Sequence, residues 1–184
     1  LLGDINLLRN CDFSLNTQVA CDAPTLALAS EALLLNAEKV TIVDPYLCIN
    51  KAGTKKTLLE MMRLCQKGRV DFHVFSEENR IADWDRTFLP KLERLKNELP
   101  RNIKLHWYAM DDDNTNFLHQ RSVFTGKGGL IYDRGFTEPN DHDQRRILMP
   151  VQFMGQVALE QNSLEYNEAS QSENYSICKP VWHS

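Results

Sequence analysis

The segment from Asp111 to Pro139 carries the side chains best suited to chemistry, with His119 and Arg121 at its centre. A strand over Phe117–Phe124 would send His119 and Arg121 to one face of a sheet, with Leu118 and Gln120 on the other, because side chains alternate along a strand. The strand rise puts the two groups roughly 7 Å apart, so an imidazole and a guanidinium could hold one phosphate between them. Gly126, Gly128 and Gly129 supply a hairpin turn that returns the chain along a second strand, Gly129–Tyr132. Arg134 then lies where its planar fork could reach the same anion. Gly135 lets backbone approach closely. Asp44-Pro45-Tyr46 follows a strand over Val40–Val43 and falls at its carboxyl end, the usual place for a ligand in an open α/β sheet.

The elements that must position these groups alternate through the first two thirds of the chain. Residues Asn10–Pro24 are polar and mixed, and 1–24 reads as a lead-in to a single domain over 25–184. Thr25 is placed to cap a helix running through Leu26, Ala29, Leu33 and Leu34 to about Asn36. The strand Val40–Val43 is followed by a helix opening at Thr54, with Leu58, Met61 and Met62 as its apolar stripe and Gly68 closing it. Val70–Phe75 alternates as a strand, 82–99 has helical spacing that Pro90 kinks or splits, and Ile103–Met110 is another strand. This order predicts an α/β fold with a mainly parallel sheet and helices on its faces. After Met110 the strands follow one another without helices: Phe117–Phe124, Gly129–Tyr132, a bent or edge strand over Ile147–Glu160, and a last one over Tyr175–Trp182. Asn162–Asn174 reads as a loop. The expected product is a mixed sheet flanked by helices.

His119-Gln120-Arg121, the glycine hairpin, Arg134-Gly135-Phe136 and the earlier Asp44-Pro45-Tyr46 together resemble the phospholipase D superfamily, most closely the phospholipase-D-like domain found C-terminal to MIT domains. The resemblance covers roughly Val40–Pro139. In catalytic members the motif is His, any residue, Lys, four residues, then Asp, and a second copy comes from a repeat or a dimer partner. It implies a nucleophile position for His119 and a phosphoryl-binding position for Arg121. Gly126 stands where the Asp would be, and no second copy is present; His142 is followed two residues later by Gln144 rather than Lys. Arginine stays charged near neutral pH and cannot supply a proton, though it can stabilise negative charge. The resemblance therefore implies a phosphate- or partner-binding domain with a degenerate H-x-R motif and weak or no catalysis. The site would comprise His119, Arg121, Arg134, Gly135, Asp44 and Tyr46. One alternative is a phosphodiesterase or nuclease effector that takes His119 from each chain of a homodimer. Another is a structural oligomerisation domain with a vestigial pocket.

Composition bounds these readings. The 184 residues carry a formal charge of −4, which argues mildly against a general nucleic-acid binder and leaves a local basic groove open. The partners expected are a second copy of the chain and an anionic phosphate, from nucleic acid or a phospholipid headgroup, or else a protein. The chain starts at Leu1 with no basic region before an apolar stretch, so no signal peptide is expected. No apolar run approaches the roughly 20 residues of a membrane span. Five cysteines, none in a C-x-x-C pair, read as reduced thiols of a cytoplasmic protein. No cofactor or metal is expected: Asp111-Asp112-Asp113 cannot all face one point and reads as a solvated loop. Taken without family context, His119 and Arg121 are a solvated or salt-bridged strand face, Tyr46 a half-buried strand terminator, and His73 and His106 mid-strand residues satisfied by their neighbours. Arg145 and Arg146, with Arg101 and Lys104, read as scattered surface charge.

Overall fold

The computed structural model describes residues 16–78, 81, 83–111, 113, 115, 117, 119–167 and 172–184. The chain is a mixed α/β domain built on a nine-stranded sheet: β1 (Asn16–Ala20), β2 (Lys39–Val43), β3 (Val70–Glu77), β4 (Ile103–Asp111), β5 (Ser122–Thr125), β6 (Gly128–Tyr132), β7 (Leu148–Phe153), β8 (Ser176–Ile177) and β9 (Trp182–His183). The strand order is β1-β7-β6-β5-β2-β3-β4-β8, and β9 pairs with β4 beside β8. Among the described residues β2-β3 and β3-β4 are parallel and the other pairings are antiparallel. β5 and β6 are joined by the two-residue turn at Gly126-Lys127, a connection that can link only antiparallel neighbours.

The helices are α1 (Ala23–Leu28), α2 (Glu31–Leu34), α3 (Ala52–Leu64), α4 (Leu89–Lys96), α5 (His142–Arg145) and α6 (Gln156–Glu165). One face of the central strands presents Val40, Ile42, Phe72, Val74, Leu105 and Trp107, which share a buried core with Leu26 of α1, Leu34 of α2, Leu58 and Met62 of α3, and Leu92 of α4. The other face presents Val43, Phe75, Tyr108, Met110 and Phe124 and is covered by Leu159 of α6 with Tyr166 and Tyr175. No helix of the described residues is long and apolar enough to cross a membrane.

Several sequence expectations need correction. The supposed lead-in contains β1, which pairs with β7 from Asn16↔Gln152 to Ala20↔Leu148. Asp22, not Thr25, caps the first helix: its carboxylate accepts the Thr25 N–H at 3.0 Å, with Ala23 and Pro24 opening the first turn. The single helix expected to Asn36 is broken into α1 and α2 at Ala29-Ser30. Pro90 divides the 82–99 segment: a π-helical turn over Trp84–Phe88 leads into α4, where Pro90 sits in the first turn and needs no N–H partner. Ile147–Glu160 is not strand throughout; β7 ends at Phe153 and Gly155 caps α6. The strand expected from Phe117 begins only at Ser122. Leu118, Asp112, Cys11 and most of the lead-in lie outside the described residues.

Candidate functional site

Asp44 follows β2 directly. Its backbone N–H donates to Phe75 O at 3.0 Å, and Pro45, with no N–H of its own, interrupts the ladder. The chain turns there because the Tyr46 N–H donates to Asp44 Oδ1 at 2.9 Å, an Asx turn. The second carboxylate oxygen accepts a longer bond from the Phe136 N–H at 3.4 Å. Gly135 makes that approach possible. Its φ is +75°, and a Cβ there would lie 2.3 Å from Asp44 Oδ2 and 2.9 Å from Arg121 Cδ.

Arg121 lies one residue before β5 and reaches across to the same place. Its Nη1 donates to the Asp133 carbonyl, its Cζ lies 4.8 Å from the centroid of the Tyr46 ring, and its Nε is 4.0 Å from Asp44 Oδ1. Nε is buried and finds no hydrogen-bond partner among the described residues. The side chain keeps 27% of its surface exposed, whereas Asp44 keeps 2%. The guanidinium is thus held by a carbonyl, an aromatic face and an ion pair, on a side chain that is partly exposed.

Asp44 is an incompletely compensated acid. Burial pushes its pKa up to about 6, against the hydrogen bonds from Tyr46 and Phe136 and the positive charges of Arg121 and Lys51. Lys51, in the loop that leads from Asp44 into α3, was not singled out by the sequence reading.

The other expected site residues are placed differently. His119 is exposed and its N–H donates to Phe117 O at 2.9 Å within a turn, so strand alternation does not align it with Arg121. Among the described residues nothing ties its ring to the Asp44–Arg121 cluster. Arg134 is exposed, and its charge acts on the thiol of Cys21, which burial pushes upward in pKa. The structure brings together Asp44, Tyr46, Arg121 and Gly135, with His119 and Arg134 on flanking backbone.

A second polar cluster, absent from the sequence reading, centres on Glu138. Its carboxylate accepts the Ala23 N–H at 2.7 Å and Lys56 Nζ at 3.0 Å and 3.1 Å, and lies 3.5 Å from Arg145 Nε. Burial opposes ionisation, but these donors together hold the carboxyl below its ordinary range. Arg145 also donates to the carbonyls of Pro139 and Asn140, so it ties down a loop rather than joining a patch with Lys104 on β4. His142 stands beside this cluster at an open cavity of about 310 Å³. Asp113 donates its N–H to Asp111 at 3.0 Å in an exposed turn. Among the described residues no group of three or more His, Cys, Asp or Glu side chains could hold a metal ion.

No family model matches the chain. No curated protein sequence matches it either. Among solved structures it is similar to TrmBL2, an archaeal chromatin protein whose structure is described as showing a novel mode of DNA binding, at a TM-score of 0.40 and 12% identity over 91% of this chain. The chain spans 56% of the length of that neighbour.

Proposed function

We propose that the domain is a phospholipase-D-like binding module that seats one phosphate-type anion against Arg121 and turns over phosphodiesters weakly or not at all. The observation that carries this reading is the state of Arg121: a guanidinium fixed by Asp133, Tyr46 and Asp44, partly exposed, with its Nε unsatisfied. A cation held in place before its ligand arrives loses little side-chain freedom on binding. Absence of turnover follows from the residues themselves. A histidine nucleophile needs a partner acid for the leaving oxygen, and Arg121 cannot act as one. His119 is exposed on the turn that leads into β5 and is not needed to seat the anion in this reading.

The test is titration of the purified protein with inorganic phosphate, followed by shifts of the Arg121 and Gly135 amide signals. Arg121→Ala should weaken binding at least about ten-fold, a loss of about 1.4 kcal/mol. Arg121→Lys should recover only part of it, because an ammonium lacks the fork. Equal affinity in wild type and Arg121→Ala would end this reading. A simple diester substrate separates the enzymatic alternative: hydrolysis abolished by His119→Ala, in a protein that runs as a dimer, would replace the binding module with a phosphodiesterase.

A further inference from the structure

The β3-β4-β9 side of the sheet carries a hydrogen-bonded chain that shares no residue with the Asp44–Arg121 cluster. Asp71 Oδ1 on β3 lies 3.2 Å from His106 Nε2 on β4, and His106 Nδ1 lies 2.6 Å from His183 Nδ1 on β9. His73 on β3 stacks flat on His106, with ring centroids 4.5 Å apart and planes within 5°, and its Nδ1 meets the Tyr108 hydroxyl at 3.0 Å. His106 is almost wholly buried and His183 is exposed.

This chain holds β9, a two-residue strand, on the edge of β4. The other attachments are the short ladder that pairs His183 with His106 and Trp182 with Trp107, the buried Trp182 side chain, and a few further bonds. Ser184 N–H donates to Leu105 O at 2.9 Å, Leu105 N–H donates to Ser184 Oγ at 2.8 Å, and the Trp182 indole, packed in the core on the opposite face, donates to Glu93 Oε1 of α4 at 2.6 Å. Proton counting decides when the imidazole pair can exist. A proton on His106 Nε2 faces the Asp71 carboxylate, which leaves Nδ1 as acceptor when the ring is neutral, so His183 supplies the proton between the rings. With one more proton the pair is an imidazolium and an imidazole, and one N–H still bridges the nitrogens. With both rings charged, two N–H groups face each other and no bond can form.

We propose that β9 is a pH-released clasp, docked on β4 while His106 and His183 share a bridging proton and detached when both are protonated. The charged surroundings set the balance. Asp71, joined by Arg69 at 3.5 Å, favours charge on His106. Lys104 occupies the same face of β4 as His106, paired with Asp71 in the register, and opposes it. Burial, together with the charges of His106, Lys39 and His183 and against that of Asp71, holds the His73 pKa down to about 3, so His73 stays neutral as a stacking wall. Release would uncover the Leu105–Trp107 edge of β4, an unpaired strand edge to which an extended peptide could add.

Trp182 provides the readout. Its indole N–H exchange with solvent is compared with that of Trp107, whose indole donates to Ser76 Oγ at 2.8 Å in the core. Lowering the pH from about 8 to about 5, the range in which imidazoles titrate, should raise Trp182 exchange relative to Trp107 at least about ten-fold in wild type. His183→Gln, which can donate to His106 but cannot become charged, should keep Trp182 protected at the acid end. Equal relative protection at both pH values in wild type would overturn the clasp. So would the same loss in His183→Gln as in wild type. Abolition of the pH dependence by Glu93→Gln alone would also overturn it, by assigning the release to the Glu93 carboxyl.

Discussion

Asp44 and Glu138 are two carboxylates of nearly equal inaccessibility, 2% and 6% exposed, whose pKa values burial raises alike and whose partners compensate to very different degrees. Glu138 accepts a backbone N–H and an ammonium at direct hydrogen-bond distance and has a guanidinium at 3.5 Å. Its charge is compensated, and its pKa is lowered. Asp44 accepts one good backbone bond and one long one, and its cation stands 4.0 Å away with an unsatisfied Nε. Its pKa is raised to about 6, chiefly by burial. Glu138 behaves as a structural rivet that joins α1, α3 and the loop before α5. Asp44 is an under-compensated acid beside a restrained cation, the kind of imbalance that proteins keep at functional sites.

The comparison can be broken most severely at the two glycines that let backbone approach each acid. A Cβ on Gly53 would lie 1.9 Å from the Glu138 backbone carbonyl, so Gly53→Ala must separate α3 from the Glu138 loop. It should cost about 4 kcal/mol or prevent folding, read by chemical denaturation. Glu138→Ala strands the Ala23 N–H and two cations and should cost about 3 kcal/mol, with Glu138→Gln losing roughly half as much because it keeps an acceptor. Gly135→Ala combines a positive φ with a clash against Asp44 and Arg121 and should cost about 2 kcal/mol. If Glu138→Ala proved milder than Gly135→Ala, the division into rivet and site would be reversed.

Asp44→Asn sharpens the contrast through pH. The folded pKa of Asp44 lies above its unfolded value, so its protonated form contributes stability that is fully present below the ordinary carboxylate pKa of 3.8 and is lost as pH rises through about 6. That loss amounts to about 3 kcal/mol for this buried group. Asp44→Asn mimics the protonated acid and should gain on wild type by about that amount between roughly pH 4 and pH 8, measured as a difference in unfolding free energy. The opposite slope is expected of Glu138: its lowered pKa gives stability present at neutral pH and lost as pH falls through the acid range.

Much of the framework was legible because it is local. The β-branched run at Val40–Val43, the stripe Leu58, Met61 and Met62, and the punctuation by Pro45 and Pro90 each act within a few residues. Asp44, Tyr46, Arg121 and Gly135 were readable as a set only through the family resemblance that their order along the chain carries. The alternation in Phe117–Phe124 imitates a strand, yet pairing starts at Ser122, where the chain meets Val43 and Ile131. That displaced His119 from the expected face. The apolar run after Ile147 was misread because α6 has no clean apolar stripe; Val157 and Leu164 are exposed while Leu159 is buried. The His106–His183 pair spans 77 positions and Glu138 reaches Ala23 across 115, separations at which no spacing rule operates.

The central claim, that Asp44 and Arg121 form an anion seat, is tested most directly by sulfate affinity against pH, because sulfate does not itself titrate in this range. The account predicts that wild type binds sulfate more tightly as pH falls through about 6, when protonation of Asp44 frees the Arg121 charge, and that Asp44→Asn binds tightly and without this dependence. Sulfate affinity in wild type that is flat across that range, or dependent on pH to the same degree in Asp44→Asn, would contradict it.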